Sequence, residues 1–175
     1  MRTLINSAES YGLADFGYGS YNTFVSTIGA GSGLMKNGFS FDFRASHNTG
    51  DGYIRNAKSE LNSIFASAGW FRGNNYMKIN YIFGDQKTGI TWEGISPEMM
   101  EIDRRYNPAG LYYDKAGNIQ YYDNETDNYT QHHIQLHFAH SFNSNWTLNS
   151  TLHYTKGGGY YANYKRERKF NSYNL

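Results

Sequence analysis

The sequence predicts an all-β chain that folds as an antiparallel up-and-down meander. The first observation is a strict alternation of apolar and polar residues, clearest between Gln131 and Phe142. One face of this segment carries Ile134, Leu136, Phe138 and Phe142, and the other carries His133, Gln135, His137, Ala139 and Ser141. A side-chain period of two is typical of a strand between two different environments. Because the second face is polar but hardly charged, the pattern favours lipid on one side and a polar lumen on the other. We therefore expect a partial section of a transmembrane β-barrel.

The second observation is the composition of the 175-residue chain, in which 18% of the residues are aromatic. There are 19 glycines but only 2 prolines, a combination that suits antiparallel strands with tight turns and aromatic girdles. The mean hydropathy of −0.72 is compatible with a membrane barrel, because only alternate strand residues face lipid. The sequence has no apolar run of about eighteen residues, the length that predicts a transmembrane helix.

The net charge of +1 and the lack of cysteine narrow the classes of function. A nucleic-acid partner would require a basic stripe, whereas the one basic cluster, 165–169, is short and interrupted by a glutamate. Without cysteine, a disulfide framework and a metal–thiolate site are both excluded. Residues 1–20 lack the apolar core of a signal peptide, so we expect that Met1 is not the native start if the protein is exported.

The third observation is the rhythm of seven predicted strands and their connections. The strands are expected at about residues 9–19, 23–32, 39–46, 60–72, 76–88, 131–142 and 146–155. Short turns are expected at 35–38, 72–75 and 143–145, and longer connections at 48–59, 89–130 and from 156 onward. The connection at 19–22 is the exception, because it belongs to the long side but is short. Short turns on one side and long loops on the other are typical of outer-membrane barrels.

The aromatic residues that flank the short turns lie where an interfacial girdle is expected. They are Phe39, Trp70, Tyr76, Phe142 and Trp146. We also predict one common face of the sheet, directed at lipid. It consists of Phe39, Phe41, Phe43, Ile64, Ala66, Ala68, Ile79, Tyr81, Leu136, Phe138, Leu148 and Leu152. The same alternation fits the core of a β-sandwich, because periodicity does not separate lipid-facing from core-facing residues.

The long insertion at 89–130 is the candidate functional element, a loop on the extracellular side. It contains a predicted hairpin whose turn runs from Asp114 to Asn118. The candidate ligand-binding residues are Trp92, Arg104, Arg105, Tyr106, Tyr112, Tyr113, Tyr121 and Tyr122. Aromatic rings beside arginines suit large planar anionic ligands such as ferric catecholates. Packing of the hairpin onto neighbouring loops uses the same residues and is the alternative.

Other polar clusters carry no predicted metal site, cofactor or catalytic machinery. His133 and His137 share a strand face but are about 13 Å apart, and we expect His153 on the next strand beside His137. The alternating carboxylates Asp123, Glu125 and Asp127 are rich in oxygen, but they lack the glycine and terminal glutamate of an EF-hand. No nucleophile–base pair is recognisable, so we expect no enzymatic activity.

Several segments resemble the TonB-dependent outer-membrane receptors, in particular the siderophore-type receptors of Bacteroidetes. They are Tyr18–Thr23, Gly31–Asp42, Ser46–Arg55, Tyr106–Tyr112 and Tyr121–Tyr129. The resemblance covers about residues 10–165 and implies that 1–175 is a partial receptor barrel. The family's signal peptide, TonB box and plug are not recognisable, and a plugged barrel has about 22 strands. The expected piece is therefore an N-terminal-to-middle section of the barrel.

The resemblance implies active uptake of a ferric siderophore or a similar nutrient across the outer membrane of a Gram-negative cell. The implied partners are outer-membrane lipid, the small nutrient, and the TonB system acting through the plug. The ligand stays open, because receptors for iron chelates, cobalamin and oligosaccharides share this barrel. Two other functions remain from the residues alone. One is a soluble secreted β-protein that binds carbohydrate through an aromatic surface, and the other is a simple diffusion porin.

Overall fold

The computed structural model describes residues 7–165 and 168–173 and consists chiefly of one antiparallel sheet. In chain order the strands are β1 (Tyr11–Gly19), β2 (Thr23–Gly31), β3 (Phe39–Gly50), β4 (Ser59–Arg72), β5 (Asn75–Gly89), β6 (Leu111–Tyr113), β7 (Ile119–Tyr121), β8 (Thr126–Ser141) and β9 (Thr147–Ala162). Seven of them form the main sheet in the order β1-β2-β3-β4-β5-β8-β9. The predicted meander with next-neighbour pairing over 23–88 and 131–155 is confirmed.

The register of the ladders fixes which residues share a face. One row across the sheet consists of Phe41, Ala68, Ile79, Leu136 and Leu152. The row on one side of it consists of Phe43, Ala66, Tyr81, Ile134 and Tyr154. Because side chains alternate along each strand, all twelve residues predicted to share a face do so. We call it the apolar face and the opposite side the polar face.

The main sheet is a single layer. Each of its strands contacts only its ladder neighbours, so no second sheet packs on either face in the part of the chain that the structure describes. The edge strands β1 and β9 are not paired with each other, so the sheet is open. The antiparallel meander is therefore shown, and the predicted barrel section remains an expectation.

Burial in this sheet is inverted relative to a water-soluble protein. On the polar face Ser40, Ser67, Lys78 and Asn80 are buried. On the apolar face large side chains are exposed, for example 48% of Phe41 and 67% of Leu152. Among the described residues, the buried hydrophobic side chains are Ile90 and Ala109, and both lie outside the sheet. The alternation in the sequence thus separates two faces, but the apolar one has no protein cover.

The long insertion is shorter than predicted, because β8 begins at Thr126 and pairs with β5 from its first residue. The excursion between β5 and β8 is residues 90–125 rather than 89–130. It contains helix α1 (Pro97–Ile102), with Ser96 as N-cap and a proline in its first turn, and the small sheet of β6 and β7. The loop after β3 is likewise reduced to residues 51–58, and β9 continues to Ala162 instead of ending near residue 155.

The connections lie at the two ends of the sheet as their lengths suggest. The turn between β1 and β2 is short, with positive φ at Tyr21 and Asn22, and it contacts the loop after β3. Asn22 Nδ2 donates to Asp51 Oδ2 at 2.6 Å.

One girdle prediction is wrong: Tyr76 is in register with Phe71 and lies on the polar face. Alternation from the neighbouring Met77, which is on the apolar face, requires this orientation.

Candidate ligand-binding site

The excursion 90–125 docks on loop 51–58, and hydrogen bonds to main-chain carbonyls connect the two. Arg55 N donates to Arg105 O at 2.9 Å, and Arg105 Nε donates to Tyr53 O at 2.9 Å. At the base of the excursion, Gly89 N donates to Lys58 O at 2.7 Å. Loop 51–58 and the excursion 90–125 therefore form one unit, which we call the loop unit, at the end of the sheet opposite the short turns.

Two asparagine side chains act as internal struts of this unit. Asn107, which is 2% exposed, donates through Nδ2 to Arg55 O and Ile90 O, both at 2.8 Å. Its Oδ1 accepts from Ala109 N at 3.0 Å. Asn56, with φ of +62°, donates to Glu125 O at 2.9 Å. A side-chain amide can satisfy a donor and an acceptor at once, which a buried loop needs where it has no ladder partner.

Glu125 anchors the end of β9 to the excursion. Its carboxylate is fully buried and accepts from Asn163 Nδ2 at 2.9 Å and from Tyr164 N. Gly110 packs against it with φ of +72°, and a Cβ at that position would lie 2.6 Å from Glu125 Cγ. Ile90 N donates to Glu125 O at 3.0 Å. The excursion is thus held by both of its ends and by the last strand.

The predicted hairpin is confirmed. Strands β6 and β7 pair with Leu111 opposite Tyr121, and Asp114 N donates to Asn118 O at 2.9 Å to close the turn. The Asp114 carboxylate accepts from the main-chain N–H groups of Asn118 and Ala116 at 2.8 and 2.9 Å. These donors, with Asn118 the strongest, hold the pKa of the Asp114 carboxyl below its ordinary 3.8.

Two of the predicted tyrosines meet around a third that the sequence did not single out. The ring centroid of Tyr164 lies 5.3 Å from that of Tyr112 and 5.2 Å from that of Tyr122. Tyr112 and Tyr122 lie on the same side of the hairpin because two-residue alternation separates them from Leu111 and Tyr121. We call Tyr112, Tyr122 and Tyr164 the tyrosine cluster.

A second contact on the other side of the hairpin is centred on Arg55. Its guanidinium lies 4.5 Å from the ring centroid of Tyr121 and donates from Nη1 to the phenol oxygen. Nη2 forms an ion pair with Asp103 Oδ2 at 3.4 Å. Both partners of the ion pair are partly exposed, at 42% and 36% of their side chains. Arg55 was not predicted as a site residue, although it lies in a segment that carries the family resemblance.

The remaining predicted residues are dispersed over the surface of the unit. Trp92 is 63% exposed and lies edge-on to Tyr161, with ring centroids 6.4 Å apart. Arg104 and Tyr113 are exposed and Tyr106 is half-buried. In the described residues the Arg104 side chain has no ion-pair partner, whereas Arg105 is held by the Tyr53 carbonyl. The predicted set therefore divides into the tyrosine cluster, the Arg55–Tyr121 contact, and separate exposed groups.

Besides Arg55, the residues that the prediction missed come from the end of β9 and the segment after it. Tyr161 and Tyr164 lie in a region taken as a loop, because the glycine run at 157–159 resembles a strand end. The ladder continues through it, with Tyr129 opposite Gly159 and Asp127 opposite Tyr161. The signal that was available is the Tyr-Tyr-Ala-Asn-Tyr sequence at 160–164, which is as aromatic as the predicted hairpin.

The histidines and carboxylates do not assemble into a cluster. In the part of the chain that the structure describes, no group of three or more His, Asp or Glu residues is arranged to hold a metal ion. His153 is in register with Gln135, which lies midway between His133 and His137, and its ring contact is with His133, at 6.4 Å. Of the three alternating acids, Glu125 is buried in its structural role and Asp127 belongs to β8.

The unit can bind a ligand by stacking and by charge. Its exposed tyrosine and tryptophan rings offer apolar faces, and guanidinium groups supply hydrogen-bond donors for carboxylate or catecholate oxygens.

Comparison of the chain with protein-family models, with curated proteins and with solved structures finds no match. Among the described residues, no helix is both long enough and apolar enough to span a membrane.

Proposed function

We propose that the chain forms part of the transmembrane β-barrel of a TonB-dependent outer-membrane receptor for a ferric siderophore or similar nutrient. The observation that carries the proposal is the inverted burial of the sheet, with exposed apolar side chains on one face and buried polar ones on the other. Soluble proteins normally cover an apolar surface as extensive as this sheet face with other parts of the protein. In an outer-membrane barrel the outward band is apolar and the lumen is polar.

The position of the apolar residues along the strands gives independent support. On this face the main apolar stretch is Ala14, Phe16 and Tyr18 on β1, and Leu148, Leu152 and Tyr154 on β9, where Lys156 and Gly158 separate it from Tyr160. The ladder register carries Phe16, the centre of the β1 set, across the sheet to Gly158 on β9. The β9 set is centred near Thr151, seven residues from Gly158. The apolar band therefore crosses the strands obliquely.

A tilted barrel strand predicts this displacement. With strands about 4.8 Å apart and a rise of about 3.4 Å per residue, a tilt of about 35–45° moves a horizontal band by about 1.0–1.4 residues per strand. Across the six ladders of this sheet, the expected displacement is about 6–8 residues. The seven residues between Thr151 and Gly158 fall within it. This displacement supports the proposal that the sheet is a section of a tilted transmembrane barrel.

The assignment to a receptor draws on the family resemblance and on the loop unit. The resemblance supplies transport, the TonB system acting through a plug, and the outer membrane of a Gram-negative cell. The loop unit supplies aromatic rings and arginines at the end of the sheet that carries the long connections. Nothing favours the carbohydrate-binding alternative, because its sandwich core would require a second layer on the apolar face.

Site-directed spin labelling tests the membrane part directly. The chain has no cysteine, so each single-cysteine variant carries one label. Labels at Phe43, Ile79 and Leu136 report on the apolar face, and labels at Ser46, Gln135 and Thr151 serve as matched polar-face controls. In lipid vesicles the apolar set should collide with oxygen and the polar set with a water-soluble nickel chelate. Equal access of the nickel chelate to both sets would contradict the proposal.

The same measurement tests the oblique band. Among labels on the apolar face, the depth maximum should lie near Phe16 on β1 and between Ser150 and Leu152 on β9. Maxima that fall in one row of the ladder, at Phe16 and Gly158, would exclude a tilted barrel section. Transport is tested separately by growth of a deletion strain on a ferric siderophore as sole iron source. Normal growth of that strain on every ferric siderophore tried would exclude iron uptake and leave the membrane assignment intact.

We also predict that the isolated chain aggregates in detergent-free buffer or needs detergent to stay monodisperse. Its sheet has two unpaired edge strands and an uncovered apolar face, and both drive association. Sedimentation velocity measures the outcome. A monodisperse monomer without detergent would favour the soluble alternative, because the apolar side chains would then have to be covered within the molecule.

A further inference from the structure

The apolar face carries a groove that follows β4. It consists of two adjoining depressions, of about 630 and 290 Å³, which share Phe41, Ala68 and Ile79 in their walls. The larger one continues towards Ala66 and the smaller one towards Trp70. The groove arises because β4 presents alanines between larger neighbours. Ala66 lies between Phe43 and Tyr81, and Ala68 lies between Phe41 and Ile79.

The groove follows β4 through most of the depth of one leaflet. From Ala66 to Trp70 it extends over about 14 Å at the usual strand rise, which is about 10–11 Å of depth for a strand tilted by about 35–45°. One leaflet of hydrocarbon is about 15 Å thick, half of the usual core. Trp70 closes the end next to the short turns, and tryptophan prefers the headgroup level of a bilayer. The groove therefore starts at the predicted interface and reaches about two thirds of the way to the predicted midplane.

Two cations stand at the interfacial end of the groove. Arg72 follows Trp70 by two residues and lies on the same face, and Lys36 is in the turn before β3. The two turns are adjacent, since Phe71 N donates to Gly38 O at 2.8 Å. Both cations are exposed, and in the described part of the chain neither side chain has an ion-pair partner.

We propose that this groove is a binding site for an anionic phospholipid, with one acyl chain along β4 and the phosphate held by Arg72 and Lys36. The inference rests on the proposed function, which places the apolar face in a bilayer. A guanidinium binds phosphate through paired N–H donors, and the lysine adds a second positive charge. The neighbouring short turn, 143–145, is the natural contrast, because it is flanked by Phe142 and Trp146 but contains only Asn and Ser.

Fluorescence quenching by brominated lipids tests the site with matched internal controls. The variant W92F/W146F retains Trp70 at the groove, and W70F/W92F retains Trp146 at the uncharged turn. Each full-length chain is refolded into phosphatidylcholine vesicles that contain brominated phosphatidylglycerol or brominated phosphatidylcholine. Trp70 should be half-quenched by the anionic lipid at an about fivefold lower mole fraction than by the zwitterionic lipid. Trp146 should respond equally to both.

The outcomes separate the site from the membrane assignment. Equal quenching of Trp70 by the two lipids, or the same anionic preference at Trp146, would overturn the lipid site and leave the membrane assignment standing. Absence of quenching at both tryptophans by either lipid would overturn both proposals. Adding K36Q/R72Q to the Trp70 variant should abolish the preference, and both changes are at exposed residues, one in a turn and one at the end of β4. A preference that survives this change would show that these cations do not bind the phosphate.

Discussion

The sheet and the excursion 90–125 differ in whether their apolar side chains are buried. In the excursion, apolar Ile90 and Ala109 are buried, and asparagine side chains satisfy the main chain around them. In the sheet the ladders satisfy the main chain, but the large apolar side chains stay exposed. The excursion therefore buries apolar side chains as a water-soluble protein does, whereas the described sheet leaves one apolar face without protein cover.

This difference has a consequence for how each region responds to change. A substitution in the excursion acts through cavities and lost hydrogen bonds, and its effect should stay local. If the apolar face lies in a bilayer, as we propose, a substitution on it acts through transfer into lipid, so that its cost depends on depth and disappears on the polar face. The predictions below separate these two behaviours.

The largest effect is expected for arginine on the apolar face. Phe41→Arg and Leu136→Arg lie in one row of the ladder, and each should destabilise the folded chain in vesicles by up to the about 2–4 kcal/mol that an arginine costs at the bilayer midplane. Thr151→Arg, on the polar face, is the control and should cost little. Urea titration of vesicle-folded protein gives the three values. Equal costs at Thr151 and Leu136 would mean that the two faces share one environment.

A smaller and local effect is expected for Asn107→Ala. The change removes three hydrogen bonds and leaves the carbonyls of Arg55 and Ile90 without this donor in a buried setting. We expect a loss of about 2–3 kcal/mol in the excursion, measured as at least about 30-fold faster amide exchange at Ala109. Exposed Asn124→Ala is the control. Equally faster exchange in β4 and β5 would show that sheet and excursion unfold together.

A still smaller effect is expected at the partly exposed Arg55. Arg55→Met removes the ion pair to Asp103 and the contacts to Tyr121, which together should be worth about 1 kcal/mol or less. Arg104→Met is the matched control, because that side chain is exposed and has no ion-pair partner in the described residues. Amide exchange in β7 reports the outcome. If Arg104→Met has an effect as large as that of Arg55→Met, then Arg55 stabilises the excursion no more than an exposed arginine does.

The two regions also differ in how far the sequence predicts them. In the sheet, a single periodicity decides strand and face, so the twelve residues of the apolar face were predicted correctly. The same alternation places Tyr76 on the face opposite Met77. The girdle prediction for Tyr76 was wrong because it used only the position of the residue next to a turn. Strand ends were predicted less well, because polar residues such as Thr126–Thr130 and the glycines at 157–159 continue the ladder without an apolar partner.

The candidate site was predicted only where local chemistry determines it. The hairpin turn at Asp114–Asn118 follows from its own residues and is correct. The partners of the hairpin are distant in sequence, and Arg55, Tyr161 and Tyr164 reach it only through the pairing of whole strands. Burial of Glu125 likewise depends on where β9 ends. No periodicity in the sequence predicts such contacts. The types of side chain in the site were therefore predicted, but not which of them lie together.

The smallest effect is expected at the turn of the hairpin, where protonation of Asp114 should loosen the excursion and leave the sheet unchanged. Its folded pKa lies below 3.8 because main-chain N–H groups donate to the carboxylate. A depressed folded pKa stabilises the folded state above the unfolded pKa. This contribution is lost as the pH falls through the lower, folded value. The amide resonance of Asn118, which donates to Asp114 Oδ1 at 2.8 Å, should therefore titrate with a midpoint below 3.8. Asp114→Asn should abolish the titration, and Asp123→Asn, in the exposed segment after the hairpin, should leave it unchanged. A midpoint at or above 3.8 would mean that the carboxylate is not held by these donors in solution.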